Sequence, residues 1–194
     1  MIFGKVQKSF CQSITAAKIW FFEKPKTKPV FVYMNQALEQ LIDVFIKLEL
    51  NVADVYKIFY NTFPEDSELW LRLVLEEEKH ADLIQSMKGT FLLPRQFPSE
   101  LLAPSMEMLG KTNNRLISML KKYSKKPPLR ESAFKIALDI ERSAGEFNFQ
   151  LAAEKSPDSG VMKIFQELNK DCRNHTKKII TYMRNKGIEL EVNW

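Results

Sequence analysis

One stretch of the chain pairs a carboxylate with an imidazole at helical spacing. Glu77 and His80 lie inside Leu73-Val74-Leu75-Glu76-Glu77-Glu78-Lys79-His80-Ala81-Asp82-Leu83-Ile84. Three residues of α-helix turn through ~300° and rise ~4.5 Å, so the two side chains share one face, about one turn apart. Trp70, Leu73 and Ile84 continue that face, so a stripe that should enter a core carries two polar groups at its centre. Glu76, Glu78 and Lys79 point elsewhere and are expected in solvent. A buried carboxylate without a partner is costly, and the remedies are hydrogen bonding, protonation or a metal ion. Three further places repeat the pattern: Glu49 and Glu141, each the one charge in an apolar stripe, and the pair Cys172 and His175, again three residues apart. Carboxylates supply hard, bridging oxygens for divalent ions, and each imidazole can cap one ion from the side. Four helices turning such groups inward at one depth would build a two-metal centre.

The elements that must position these groups are helices. The first is expected over residues 35–63, with the stripe Leu38, Leu41/Ile42, Phe45, Glu49, Val52, Tyr56, Phe59, ending before Pro64. Pro64-Glu65-Asp66-Ser67 offers turn and N-cap chemistry for the second helix, which Gly89 can close. So short a link makes the two an antiparallel pair. Residues 90–130 form a long connection. Pro94, Pro98 and Pro104 keep its first part irregular, and an extra helix over 106–122 is stopped by Lys125-Lys126-Pro127-Pro128. The third core helix is expected over 129–154, with Phe134, Ala137/Leu138, Glu141, Ala144/Gly145, Asn148 and Leu151 on its stripe; Ala144 and Gly145 would let a neighbour approach closely. Pro157-Asp158-Ser159-Gly160 is a turn and cap. The fourth helix then carries Phe165, Leu168, Cys172, His175 and Ile179 on one face and closes near Lys186-Gly187. The expected fold is all-α: an antiparallel four-helix bundle over residues 34–187, its long crossover holding an extra helix, with a short tail at 188–194.

Composition agrees. A chain of 194 residues that is 45% hydrophobic can bury one ordinary core, and its scarcity of Gly and abundance of Leu, Ile, Lys and Glu favour helix. Cys11 and Cys172 are far apart and show no Cys-x-x-Cys spacing, which fits a reducing compartment and excludes a zinc-ribbon thiolate cage. The formal charge of +5 is unevenly placed: residues 1–33 hold six lysines against the single acid Glu23, and the remainder is formally neutral. Basicity thus belongs to an N-terminal arm, which argues against a nucleic-acid binder. Lysines beside Ile19, Trp20, Phe21 and Phe22 would suit peripheral membrane contact or an acidic partner. The plainer alternatives are that these aromatics pack on the domain, or that Met34 is the natural start and the arm is dispensable. With no bilayer-length apolar run and no clear cleavage site, the expected location is cytoplasmic.

Glu49 followed by Ala53 and Tyr56, the stretch from Leu75 to Ile84, and Ala137-Leu138-Asp139-Ile140-Glu141-Arg142-Ser143 with Phe147 together resemble the rubrerythrin family of ferritin-like proteins, over residues 34–186. The resemblance implies an up-down bundle with one long crossover and a non-haem di-iron or similar centre that reduces peroxide or reacts with oxygen. It implies metal ligands at Glu49, Glu77, His80, Glu141 and His175, with Glu77 bridging, Glu49 and Glu141 terminal, and the two histidines capping. It also implies a homodimer. Three departures follow from the same positions. Cys172 stands where the family has a second bridging carboxylate. Ala144 stands where other members carry a further Glu. There is no rubredoxin domain, so electrons would come from a separate donor protein. Asp171 lies four residues before His175 and ~40° around the helix, and its short side chain reads as a solvated flank.

Two readings stay open at this point. In one, the chain is a di-metal oxidoreductase, with iron as the cofactor and zinc or manganese as alternatives. In the other it is a ferritin-like scaffold or binding protein with a degraded centre holding one ion or none. There Glu49 would be neutral, the histidines hydrogen-bonded and Cys172 a small hydrophobe. A thiol at 172 favours zinc and should weaken a second ion, leaving one held by Glu49, Glu77 and His80.

Overall fold

Apolar residues at three- and four-residue spacing produce helices in a computed structural model that describes residues 30–91, 102–143 and 160–189. Among these residues all regular structure is helical: α1 (Val30–Thr62), a 3-10 turn (Pro64–Asp66), α2 (Ser67–Phe91), α3 (Leu102–Tyr123), α4 (Arg130–Glu141) and α5 (Gly160–Asn185). The all-α expectation holds. Helix α1 begins at Val30, inside the stretch read as an arm. Residues 1–29, with the expected membrane or acidic contact, lie outside the described residues.

Pro64 lacks an N–H and stops α1, and the turn that follows returns the chain as α2. The pair runs antiparallel, as its surface ties show: Lys88 Nζ reaches Asp43 at 2.7 Å and Lys57 Nζ reaches Glu78 at 2.8 Å, early against late and late against early. On α1 every stripe residue from Leu38 to Phe59 is buried, Glu49 among them. Helix α3 starts at Leu102, with Pro104 in its first turn, where a missing N–H removes no intrahelical bond. It packs on α1 through buried Asn113, which accepts from the Asn51 amide at 2.7 Å and donates to the Val44 carbonyl at 3.0 Å.

The third core helix departs from expectation. It ends at Glu141, and Arg142 takes φ −98°, ψ 10°. Arg142 and Ser143 leave the helical conformation, so among the described residues the expected helix is interrupted there. Ala144, Asn148 and Leu151 lie outside the described residues. Helix α5 packs against α4 and α2 and closes as anticipated. Gly187 sits at φ +64°, its N–H bonds the Arg184 carbonyl, and the Ile188 N–H bonds the Met183 carbonyl. Ile188, read as the start of a tail, is buried beside Met183 and belongs to the core.

An aromatic layer locks α1, α2, α4 and α5 together. Trp70 meets Phe59, Tyr56 and Phe134 with ring centroids 5.1, 5.9 and 4.8 Å away, and Phe134 stacks on Tyr182 at 6.0 Å. Tyr56, Trp70, Phe134 and Tyr182 each lie two helical turns, ~10.5 Å, from Glu49, Glu77, Glu141 and His175 respectively. The layer therefore sets the relative depth of those four groups. No helix among the described residues is long and apolar enough to cross a membrane.

Candidate metal centre

Glu49 on α1, Glu77 and His80 on α2 and His175 on α5 come from the middle of apolar stripes, Glu141 is the last residue of α4, and all are at most 5% exposed. Their donor atoms form two groups: Glu49, Glu77 and His80, and Glu77, Glu141 and His175. Within each group one donor atom per residue lies within 4.8 Å of the others. Glu77 is common to both. Its Oε2 is 3.2 Å from His80 Nδ1 and its Oε1 is 2.9 Å from His175 Nδ1. The two imidazoles stack with centroids 5.5 Å apart and planes at 15°. One carboxylate thus turns one oxygen toward each of two histidines, the disposition of a bridging ligand.

Whether a cation suits this space can be judged from His175 Nδ1. It lies 2.9 Å from Glu77 Oε1 and 3.3 Å from Glu141 Oε1, yet has hydrogen-bond alignment with neither nor with any other described residue. A buried nitrogen close to two carboxylates and bonded to neither fits a lone pair directed at an ion between them. The far nitrogens have different partners. His175 Nε2 is 2.9 Å from Glu76 Oε2, and His80 Nε2 is 3.4 Å from Asp171 Oδ2. The supports are exchanged between helices: each carboxylate four residues before one histidine serves the histidine of the other helix. With an ion bound, such contacts would favour the Nε2–H tautomer and leave Nδ1 as the donor to the metal.

Three sequence expectations are corrected here, the first two at Glu76 and Asp171. Glu76 does not simply face solvent, because α5 passes along its flank; it also takes Lys178 Nζ at 2.6 and 2.7 Å. Asp171 is half exposed but reaches across to His80. Spacing could have found both, since each lies four residues ahead of a histidine, one turn along the same flank. Cys172, expected among the ligands, is buried on the right face, but its sulfur joins neither group. A cysteine side chain ends two bonds short of a glutamate carboxylate. Tyr56, read only as a stripe residue, donates from its hydroxyl to Glu141 Oε1 at 2.7 Å.

The electrostatics describe a centre short of positive charge. Burial pushes Glu49 up to about 8 against the opposing His80 contact. Burial also raises Glu141, with His175 and the Tyr56 hydroxyl pulling the other way. Burial would raise Glu77 too, but contacts with His175 and His80 outweigh it and hold Glu77 well below the usual range. Burial disfavours both imidazolium ions, and the neighbouring carboxylates overcome it, raising His80 to about 10 and His175 to about 11. Without a metal, protons supply the positive charge that three buried carboxylates demand. Comparison with protein families, curated proteins and solved structures finds no match to this chain.

Proposed function

We propose that the protein is a rubrerythrin-like member of the ferritin-like superfamily, a four-helix bundle that binds two metal ions and reduces peroxide or oxygen with electrons from a separate donor. The observation that carries this reading is Glu77, which presents one oxygen to each of two three-residue donor groups. Three carboxylates and two imidazoles, with the thiol outside the donor groups, form a hard set that favours iron or manganese over zinc. Bound iron would supply the electron transfer that converts a peroxide, two electrons and two protons into two molecules of water.

The chain's own residues have distinct parts. Glu77 holds the two positions together, and Glu49 and Glu141 add one negative charge to each. Asp171 and Glu76 keep the imidazoles turned inward. Tyr56 holds Glu141 in place through its hydrogen bond to Oε1. Glu49, raised to about 8, can carry a proton on its carboxyl at neutral pH and release it when an ion arrives. The apolar stripes around the centre limit water.

The deciding experiment loads the purified chain with Fe(II) without oxygen and measures iron per chain, proton release and peroxide consumption with an added reductant. About two irons per chain, with protons released on binding and uptake stronger at pH 8 than at pH 6, supports the reading. A folded chain that takes up no metal would establish the scaffold alternative. That alternative draws on one observation: the metal-free centre already balances much of its charge through the raised pKa values of His80 and His175. Dimerisation belongs to the same proposal and is checked by molecular mass in solution.

A further inference from the structure

The domain is formally neutral, yet one face of α5 carries charge of a single sign. Lys163, Lys170, Arg173, Lys177 and Arg184 on α5 are all exposed. At 100° per residue they fall within a sector of ~80°, in a row ~32 Å long. Glu167 and Asp171, the acids of this helix, fall outside the sector. Lys170 has a loose 3.5 Å contact with Glu167, and no ion pair to a described residue engages Lys163, Arg173, Lys177 or Arg184. A helix face that serves only solubility intersperses both signs; this one does not.

The row borders a groove of about 490 Å³ between α5 and α2, lined by Leu69 and Arg72 on one side and Lys177, Lys178, Thr181 and Tyr182 on the other. On the outer face of α2, Leu71 and Leu75 are 42% and 57% exposed. Lys178, at the groove wall, holds Glu76, and Glu76 touches His175 Nε2. The groove is thus two side chains from the candidate metal centre.

The geometry points to this face, the basic row of α5 with the adjoining groove, as the docking surface for an acidic protein. Charge complementarity selects an acidic partner, and exposed Leu75, one turn from Arg72 of the groove wall, favours a protein over a nucleic acid, whose backbone offers nothing apolar to it. The row itself carries no aromatic side chain on which a base could stack. That the partner is the electron donor rests on the proposed function, through the groove's closeness to His175; the docking itself does not.

The test uses the full metal-free chain with an acidic [2Fe–2S] ferredoxin as probe, and binding is read by calorimetry at low and moderate salt. Reversing Lys170→Glu, Arg173→Glu and Lys177→Glu together, on an exposed helix face, should raise the Kd by about tenfold and flatten its salt dependence. A control carrying Lys24→Gln, Lys26→Gln and Lys28→Gln in the arm should stay within about twofold of the parent. The proposal is overturned if the α5 reversal changes the Kd by less than the control does. It is equally overturned if a short DNA duplex binds the parent more tightly than ferredoxin and loses that affinity on reversal. Iron uptake measured on separate aliquots of the same preparations separates the two ideas. Docking that survives in a chain taking up no iron sinks the two-metal reading alone, whereas normal iron uptake without docking sinks this one alone.

Discussion

Asp66 and Glu77 are both carboxylates buried where helices meet, and their surroundings differ in kind. Asp66 receives two bonds from one guanidinium, Arg130 Nε and Nη2 each at 2.7 Å, and the Tyr182 hydroxyl donates to it at 3.1 Å. One anion faces one cation, and both oxygens are bonded. The cluster joins the 3-10 turn, the start of α4 and the end of α5. Burial, followed by the Asp66 contact, pushes the Tyr182 phenol up to about 12, so it remains a donor through the physiological range. Glu77 instead shares its space with two more carboxylates and two imidazoles, and one imidazole nitrogen lacks an aligned partner. A buried network that closes on itself is sufficient as structure. One that leaves carboxylates in excess and a nitrogen unbonded has room for a cation.

That contrast can be broken by exchanging the two clusters' expected phenotypes. The largest effect should come from Glu77→Gln, which removes the charge shared by both groups and should abolish binding of both ions while the far-ultraviolet circular dichroism stays helical. If the variant still takes up two irons, the bridging assignment is wrong. Next in size is Asp66→Ala. It strands Arg130, whose side chain is 26% exposed, so the cost should sit at the low end of the ~3–5 kcal/mol for opening a buried pair. Urea denaturation reads that loss, and iron content should not change. A fall in iron uptake would show that the two clusters are coupled.

The smallest effect sharpens the comparison within the centre itself. Glu76→Gln should weaken the ion beside His175 by ~10–100-fold, because it removes a close, half-buried support. Asp171→Asn should fall at or below the bottom of that ~10–100-fold range, since Asp171 is more exposed and lies 3.4 Å from His80 rather than 2.9 Å. Stepwise iron titration of each variant separates the two positions. Equal losses would mean that the support is set by charge alone and not by contact.

Much of this was legible in the residue order. Helical periodicity follows from local chain geometry, so the stripes of α1, α2 and α5 and the inward phase of Glu49, Glu77, His80, Glu141 and His175 could be read before any packing was known. Spacing fixes the angle at which a side chain leaves its helix, but not which neighbour passes on that side. For that reason Glu76 and Asp171 read as solvent-facing flanks until α2 and α5 were placed together, and the basic row of α5 had no apparent neighbour. Reach is decided in the same way. Cys172 has the right phase and lies outside both donor groups, since depth and side-chain length count only once the opposing helix is in position. The Asp66 cluster was hidden too, because its members come from the 3-10 turn, α4 and α5 and share no periodic relation. The sequence by itself determined the helices and the chemistry each turns inward. Only the tertiary structure decided which groups converge, which support them from behind, and where the charge is left unbalanced, because those depend on distances between segments far apart in the chain.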